Sequence, residues 1–222
     1  MLRKLFCAAG LALIAAPAAA ETPEVTTGIT AGTLGVGPEV GVRVGPKFGV
    51  RANAMVGSTG IVDIDAQSDD IPFDGAVRSR SVGAMLDFYP ARAGFRVSAG
   101  FRINGNKATL RATPTTNTTI GPRSVSPVQV GTLRASYRVR DWAPTLTVGY
   151  SGEIAPRLSL GVEAGAVYHG APKITSLTSS GGTLSGDPGF AADLESERML
   201  IQNDISDYKF YPVAQVSLAY RF

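Results

Sequence analysis

The sequence predicts an all-β fold: a closed antiparallel transmembrane β-barrel, most simply of eight strands, with a short helix in the last external connection. Three observations carry this. Apolar and polar residues alternate with a period of two along several separate segments, as in strands whose two sides meet different surroundings. The apolar face of those segments holds no charged residue, whereas the opposite face interleaves acids with arginines. Short Gly- or Pro-bearing turns alternate with long connections, the layout of a barrel with short turns at one rim and loops at the other.

Residues 1–20 stand apart from the fold. A basic start at Arg3 and Lys4, an apolar run from Leu5 to Ala16 and the small residues Ala18-Ala19-Ala20 before Glu21 describe a signal peptide removed on export. The run is shorter than the about 20 residues a spanning helix needs. Cys7, the one cysteine, leaves with it, so the barrel domain, residues 21–222, has neither a disulfide nor thiolate chemistry. Loss of Arg3 and Lys4 lowers the basic count from 21 to 19 against 18 acids, a formal charge of +1. Nothing in the linear sequence marks the clustered basic face of a nucleic-acid binder. After the signal no apolar run reaches helix-spanning length, and only helices and closed barrels satisfy every backbone group in lipid.

The segments follow in order. The lead-in, Thr22 to Ala31, alternates weakly. From Leu34 the pattern sharpens: Leu34, Val36, Pro38, Val40, Val42 and Val44 share a face opposite Glu39 and Arg43. Gly45-Pro46-Lys47 turns the chain, and Phe48, Val50, Ala52, Ala54 and Val56 continue the apolar face opposite Arg51 and Asn53. An acidic loop, Asp63 to Arg78, includes Asp63, Asp65, Asp69, Asp70 and Asp74. The next hairpin sets Val82, Ala84, Leu86 and Phe88, then Phe95, Val97, Ala99, Phe101 and Ile103, on the apolar face. Asp87, Arg96 and Arg102 lie on the other.

Gly105 to Val139 is polar, Thr-rich and strand-prone, and reads as a hairpin prolonged beyond the bilayer. Its tip falls near Gly121-Pro122-Arg123 or Ser126-Pro127. Alternation resumes at Leu146, Val148 and Tyr150 opposite Glu153, turns at Ala155-Pro156-Arg157, and continues through Leu158 to Tyr168 opposite Glu163 and His169. In the insertion from Lys173 to Tyr208, Ser176 to Gly186 reads as a mobile Ser- and Gly-rich stretch. A helix follows, capped by Asp187 with Pro188 in its first turn and a stripe of Phe190, Leu194, Ile201 and Ile205. Lys209 to Phe222 is the last strand. Seven strands are clear, and an even count requires one more. The lead-in supplies it most simply; Val128 to Val139 is the alternative.

The two faces have separate chemistry. A Lys or Arg on the apolar face at the bilayer midplane would cost about 2–4 kcal/mol, which accounts for its strictness. Tyr150, Tyr168, Tyr220 and Phe222 sit near strand ends, where interfacial aromatic girdles form. The inner face carries Glu39, Asp87, Glu153 and Glu163 against Arg43, Arg51, Arg96, Arg102 and Arg221, a predicted lumen network. An eight-stranded interior is just wide enough for side chains to fill it. The single His169, even with Ser176, Ser179 or Glu163 nearby in sequence, is a weak basis for catalysis, and no enzymatic role is expected. No metal-ligand spacing is present, and no cofactor is implied.

The segments LGVGPEVGVRVGPKFGVRANAMVG, SVGAMLDFYPARAGFRVSAGFRIN and APTLTVGYSGEIAPRLSLGVEAGAVYHG, with the terminal LAYRF, resemble small bacterial outer-membrane barrel proteins of the OmpA/OmpX and OmpW-like sort. The resemblance implies residence in the Gram-negative outer membrane and contact with its lipid and lipopolysaccharide. It also implies recognition of terminal Phe222 by the assembly machinery, and a monomer is expected. Within it the first functional expectation is a structural or surface-interaction barrel. The alternatives are a narrow, porin-like channel for small or hydrophobic solutes, and a lipid A-modifying enzyme.

Overall fold

A computed structural model describes residues 23–59, 73–91, 94–105 and 107–222. The proposed signal peptide and most of the acidic loop lie outside the described residues. In chain order the elements are β1 (Glu24–Gly32), β2 (Gly35–Val44), β3 (Phe48–Thr59), β4 (Phe73–Phe88), β5 (Phe95–Asn104), β6 (Lys107–Ala112), β7 (Thr118–Ile120) and β8 (Arg123–Val125). Then come α1 (Pro127–Val130), β9 (Gly131–Arg138), β10 (Trp142–Ala155), β11 (Leu158–Tyr168), β12 (Lys173–Gly181), α2 (Pro188–Asp204) and β13 (Phe210–Arg221).

β1, β2, β3, β4, β5, β10, β11 and β13 close into an eight-stranded antiparallel barrel. Closure runs through β1 on β13, with Thr26 opposite Arg221, and through β4 on β5, with Leu86 opposite Ala99. The weak lead-in is therefore the eighth strand. Its Thr and Gly content obscures the alternation, but its Ile29 faces outward at 62% exposure. The alternative stretch, in β9, lies outside the ring.

β6, β9 and β12 prolong the barrel at the rim of long connections. The register of β4 on β5, Ser81 opposite Asn104, passes unbroken into β4 on β6, Arg78 opposite Lys107. β10 on β5, Trp142 opposite Ile103, likewise passes into β9 on β6, Arg138 opposite Lys107. β12 joins β9 with one register shift between Ile174 and Ser176. A four-stranded wall thus rises from one side of the barrel. The Ser-rich start of the last insertion, expected to be mobile, is a strand of this wall: polar and small residues suit a strand once β9 offers a partner.

α2 packs on the wall's inner face. Asp187 caps it, accepting from Phe190 N at 2.6 Å, and Phe190 and Leu194 are buried with Ile120, Val125 and Val130. Arg198 donates to Ile174 O (3.0 Å), and Ile174 N donates to Gln202 Oε1 (2.8 Å), covering the start of the β12 edge. No helix among the described residues is long and apolar enough to cross a membrane.

The barrel is inverted relative to a water-soluble protein. Leu86, Leu160 and Val216 point outward at 54%, 43% and 51% exposure, while Arg102, Arg96 and Asp87 are buried inside at 2%, 4% and 0%. Leu34 departs from its expected outer face. Gly35 takes φ +108 at the start of β2, which breaks the alternation and turns Leu34 into the interior.

Candidate functional site

The lumen is filled in three layers. At the rim of short turns, Arg221 reaches Glu153 at 3.3 Å and Glu24 at 3.6 Å. The Arg43 guanidinium lies 4.1 Å from the Tyr89 ring centroid and donates to Pro46 O at 2.9 Å. These groups are partly or fully exposed and surround a cavity of about 310 Å³ that ends on Arg51, Asp87 and Arg96.

The middle layer is a buried ionic network. Arg51 donates to Asp87 through Nε (2.6 Å) and Nη2 (3.1 Å), a bidentate pair. It also reaches Glu39 at 3.1 Å and Glu163 at 2.8 Å. Arg96 pairs with Glu163 at 2.7 Å and bonds Ser151. Ser98 donates to Asp87 (2.5 Å) and Thr147 to Glu163 (2.8 Å). Arg102 is held by neutral acceptors, Ser81 Oγ and Asn53 Oδ1, both at 3.0 Å. Asn53 in turn donates to Glu39 at 3.2 Å. Three carboxylates, Asp87 buried and Glu39 and Glu163 partly so, thus face three buried guanidiniums, and the layer is charge-neutral as a set.

Towards the long connections an apolar cluster forms in the interior: Leu34, Met55, Ala143, Val167 and Val213 pack together, none more than 6% exposed, while the polar Asn104 and Thr145 are buried as well. Period-two reading puts Met55, Val167 and Val213 on the inner face without saying that they pack into an apolar cluster.

The nine charged residues expected to form one network occupy two levels. Glu39, Arg51, Asp87, Arg96, Arg102 and Glu163 belong to the middle layer, whereas Arg43, Glu153 and Arg221 stand at the rim. Ser81, Ser98, Thr147 and Ser151 share the inward parity of the charged residues, which puts them on the lumen face but does not say which charge each one meets. Among the aromatics, Tyr220 and Phe222 contact edge-on at 5.2 Å on the short-turn rim. Tyr168 packs on Phe210 at 5.2 Å on the opposite rim, and Tyr150 is 52% exposed on the outer wall.

His169 lies beyond β11. Its Nδ1 is buried and meets no partner among the described residues, and burial pushes its pKa below the ordinary value. Ser179 donates instead to Val130 O at 2.5 Å, and Glu163 is engaged in the lumen. No group of three or more metal-ligating side chains occurs among the described residues.

No family model matches the chain, and no curated protein matches it by sequence. Among solved structures, CarO of Acinetobacter baumannii shares 21% identity over 89% of this chain and 97% of its own, with a TM-score of 0.61. CarO2 of the same organism shares 19% over 91% and 100%, with a TM-score of 0.63. A major outer membrane protein from Thermus thermophilus shares 14% over 90% and 98%, at a TM-score of 0.46. The chain has the fold of the two CarO barrels along nearly its whole described length.

Proposed function

We propose that this protein is an integral outer-membrane barrel, exported by residues 1–20, whose packed lumen serves stability and whose long-connection end serves interaction. The outer wall supports the membrane reading: Ile29, Val40, Val50, Leu86, Leu146 and Val162 are all exposed on it, and in water so continuous an apolar surface would drive aggregation. The short-turn rim then faces the periplasm and the wall with α2 faces outward.

The observation that carries the closed-lumen reading is the stack of buried ions beneath an apolar cluster: Asp87 at 0%, Met55 at 1% and Ala143 at 0% exposure. A buried network of paired charges resists the hydration a water-filled path needs. Refolded residues 21–222 in a planar bilayer should show heat-modifiable gel mobility without discrete conductance steps. Steady single-channel openings would overturn the closed lumen. The channel reading has one observation in its favour, the 310 Å³ cavity leading from the periplasmic rim to Arg51. A lipid-modifying role lacks such support, because His169 is without a catalytic partner among the described residues.

A further inference from the structure

We propose that the cavity at the short-turn rim is a blind binding site for small oxyanions, carboxylate or phosphate, which enter it from the periplasm and leave the same way. Its blind end rests on the closed-lumen reading above, and its periplasmic access on the membrane reading.

Five arginines line this cavity, two at its floor and three at its mouth. At the floor Arg51 and Arg96, 8% and 4% exposed, direct their forks to Asp87, Glu39 and Glu163, within a layer that is neutral as a set. At the mouth two carboxylates share one guanidinium: Arg221 lies 3.3 Å from Glu153 and 3.6 Å from Glu24. Arg43 and Arg157 enter no ion pair among the described residues. The mouth therefore sets three positive charges against two negative ones. Low-dielectric walls around such an excess focus its field and draw anions inward.

Both unpaired guanidiniums are held at the mouth by something other than a counterion. Arg43 lies 4.1 Å from the Tyr89 ring centroid and gives one N–H to Pro46 O at 2.9 Å. These contacts fix the group without neutralising it and leave most of its five donors for a ligand. Arg157 takes φ +66 in the turn between β10 and β11. Glycine is the usual residue where a turn needs the left-handed region, and a side chain there is strained. The turn's own bonds are backbone bonds at this position: Arg157 N donates to Glu153 Oε1 at 3.1 Å, and Arg157 O accepts from Arg221 N at 2.8 Å. What arginine adds to the turn is a guanidinium on the cavity wall.

The volume of about 310 Å³ is the small end of ligand pockets, which run from about 300 to 1,000 Å³. It has room for a succinate or a phosphate with its water and none for a polymer. A planar guanidinium fork matches the paired oxygens of either oxyanion, whereas chloride engages the same charge without that match.

The mature chain, made with isotope-labelled arginine and folded in micelles, is titrated with succinate or with inorganic phosphate at constant ionic strength, chloride making up the balance. The Nε–H NMR signals of Arg43 and Arg157 should shift saturably, while that of the buried Arg102 stays. Response to one oxyanion alone names the ligand and supports the site. Arg157→Gly removes one fork and suits the left-handed φ, so it should bind roughly three- to fivefold more weakly, the worth of one exposed charge pair. It should resist urea at least as well as wild type. Arg43→Gln should weaken binding to the same degree and decides the matter if the turn variant does not fold. Shifts that do not saturate, equal shifts with chloride alone, or unchanged affinity in both variants overturn the proposal and leave a solvated rim. Discrete conductance steps carried by succinate across a planar bilayer would instead sink the blind end, with the binding site still standing.

Discussion

Asp87→Ala tests whether the ionic layer holds the barrel together. Asp87 is wholly buried and accepts the Arg51 fork at 2.6 and 3.1 Å and the Ser98 hydroxyl at 2.5 Å. Removing it leaves Arg51 on Glu39 and Glu163 alone and gives the neutral buried set one uncompensated positive charge. Losing one partner of a buried pair costs about 3–5 kcal/mol. Asp87→Asn keeps the shape but not the charge, and should cost about 1.5–3 kcal/mol, the worth of charge-assisted bonds. The rim supplies the internal control: Glu153 is half-exposed and meets Arg221 at 3.3 Å, so Glu153→Ala should cost under about 1 kcal/mol. Urea unfolding of the folded barrel in micelles, read by the mobility of unheated samples, orders the three variants. If Asp87→Ala costs no more than Glu153→Ala, the buried layer is not what holds the barrel shut.

Other perturbations probe separate parts of the chain. A Cβ at Gly37 would overlap the Ala54 carbonyl oxygen and lie 2.8 Å from its carbon, so Gly37→Ala should destabilise the barrel to urea by about 1–3 kcal/mol. Gly186→Ala, whose added methyl meets nothing within 4 Å, should stay within about 0.5 kcal/mol. Burial holds the His169 ring below its ordinary pKa, so the unfolded chain takes up the proton first as pH falls. Stability should therefore decline below about pH 6.5, and His169→Gln should show a smaller loss between about pH 8 and pH 5. An equal loss in both proteins refutes that. Asp187→Ala removes the α2 cap and should cost about 0.5–2 kcal/mol locally. Hydrogen exchange should quicken at the Phe190 amide while barrel-strand amides keep their protection.

The barrel was legible because period-two alternation reports a side chain's face, and lipid tolerates no charge on the outer one. Height along the strand axis is not encoded that way. Arg43 and Arg51 look equivalent in sequence, yet register puts one at the rim and the other among three carboxylates. The apolar cluster is hidden for the same reason, since Met55 and Val213 follow the inward parity of the charged residues. β12 was missed because Ser176 to Gly181 forms a strand only when β9 is beside it.

The unbroken register from β5 into β6 and from β10 into β9 has a mechanical consequence. A loop tethered at a rim would swing, but a sheet sharing its hydrogen-bond ladder with the barrel tilts only when the barrel does. From Asn104 to Ala112 the ladder climbs roughly 26 Å. Whatever meets α2 or the β7–β8 hairpin would encounter it at a set height and azimuth relative to the barrel.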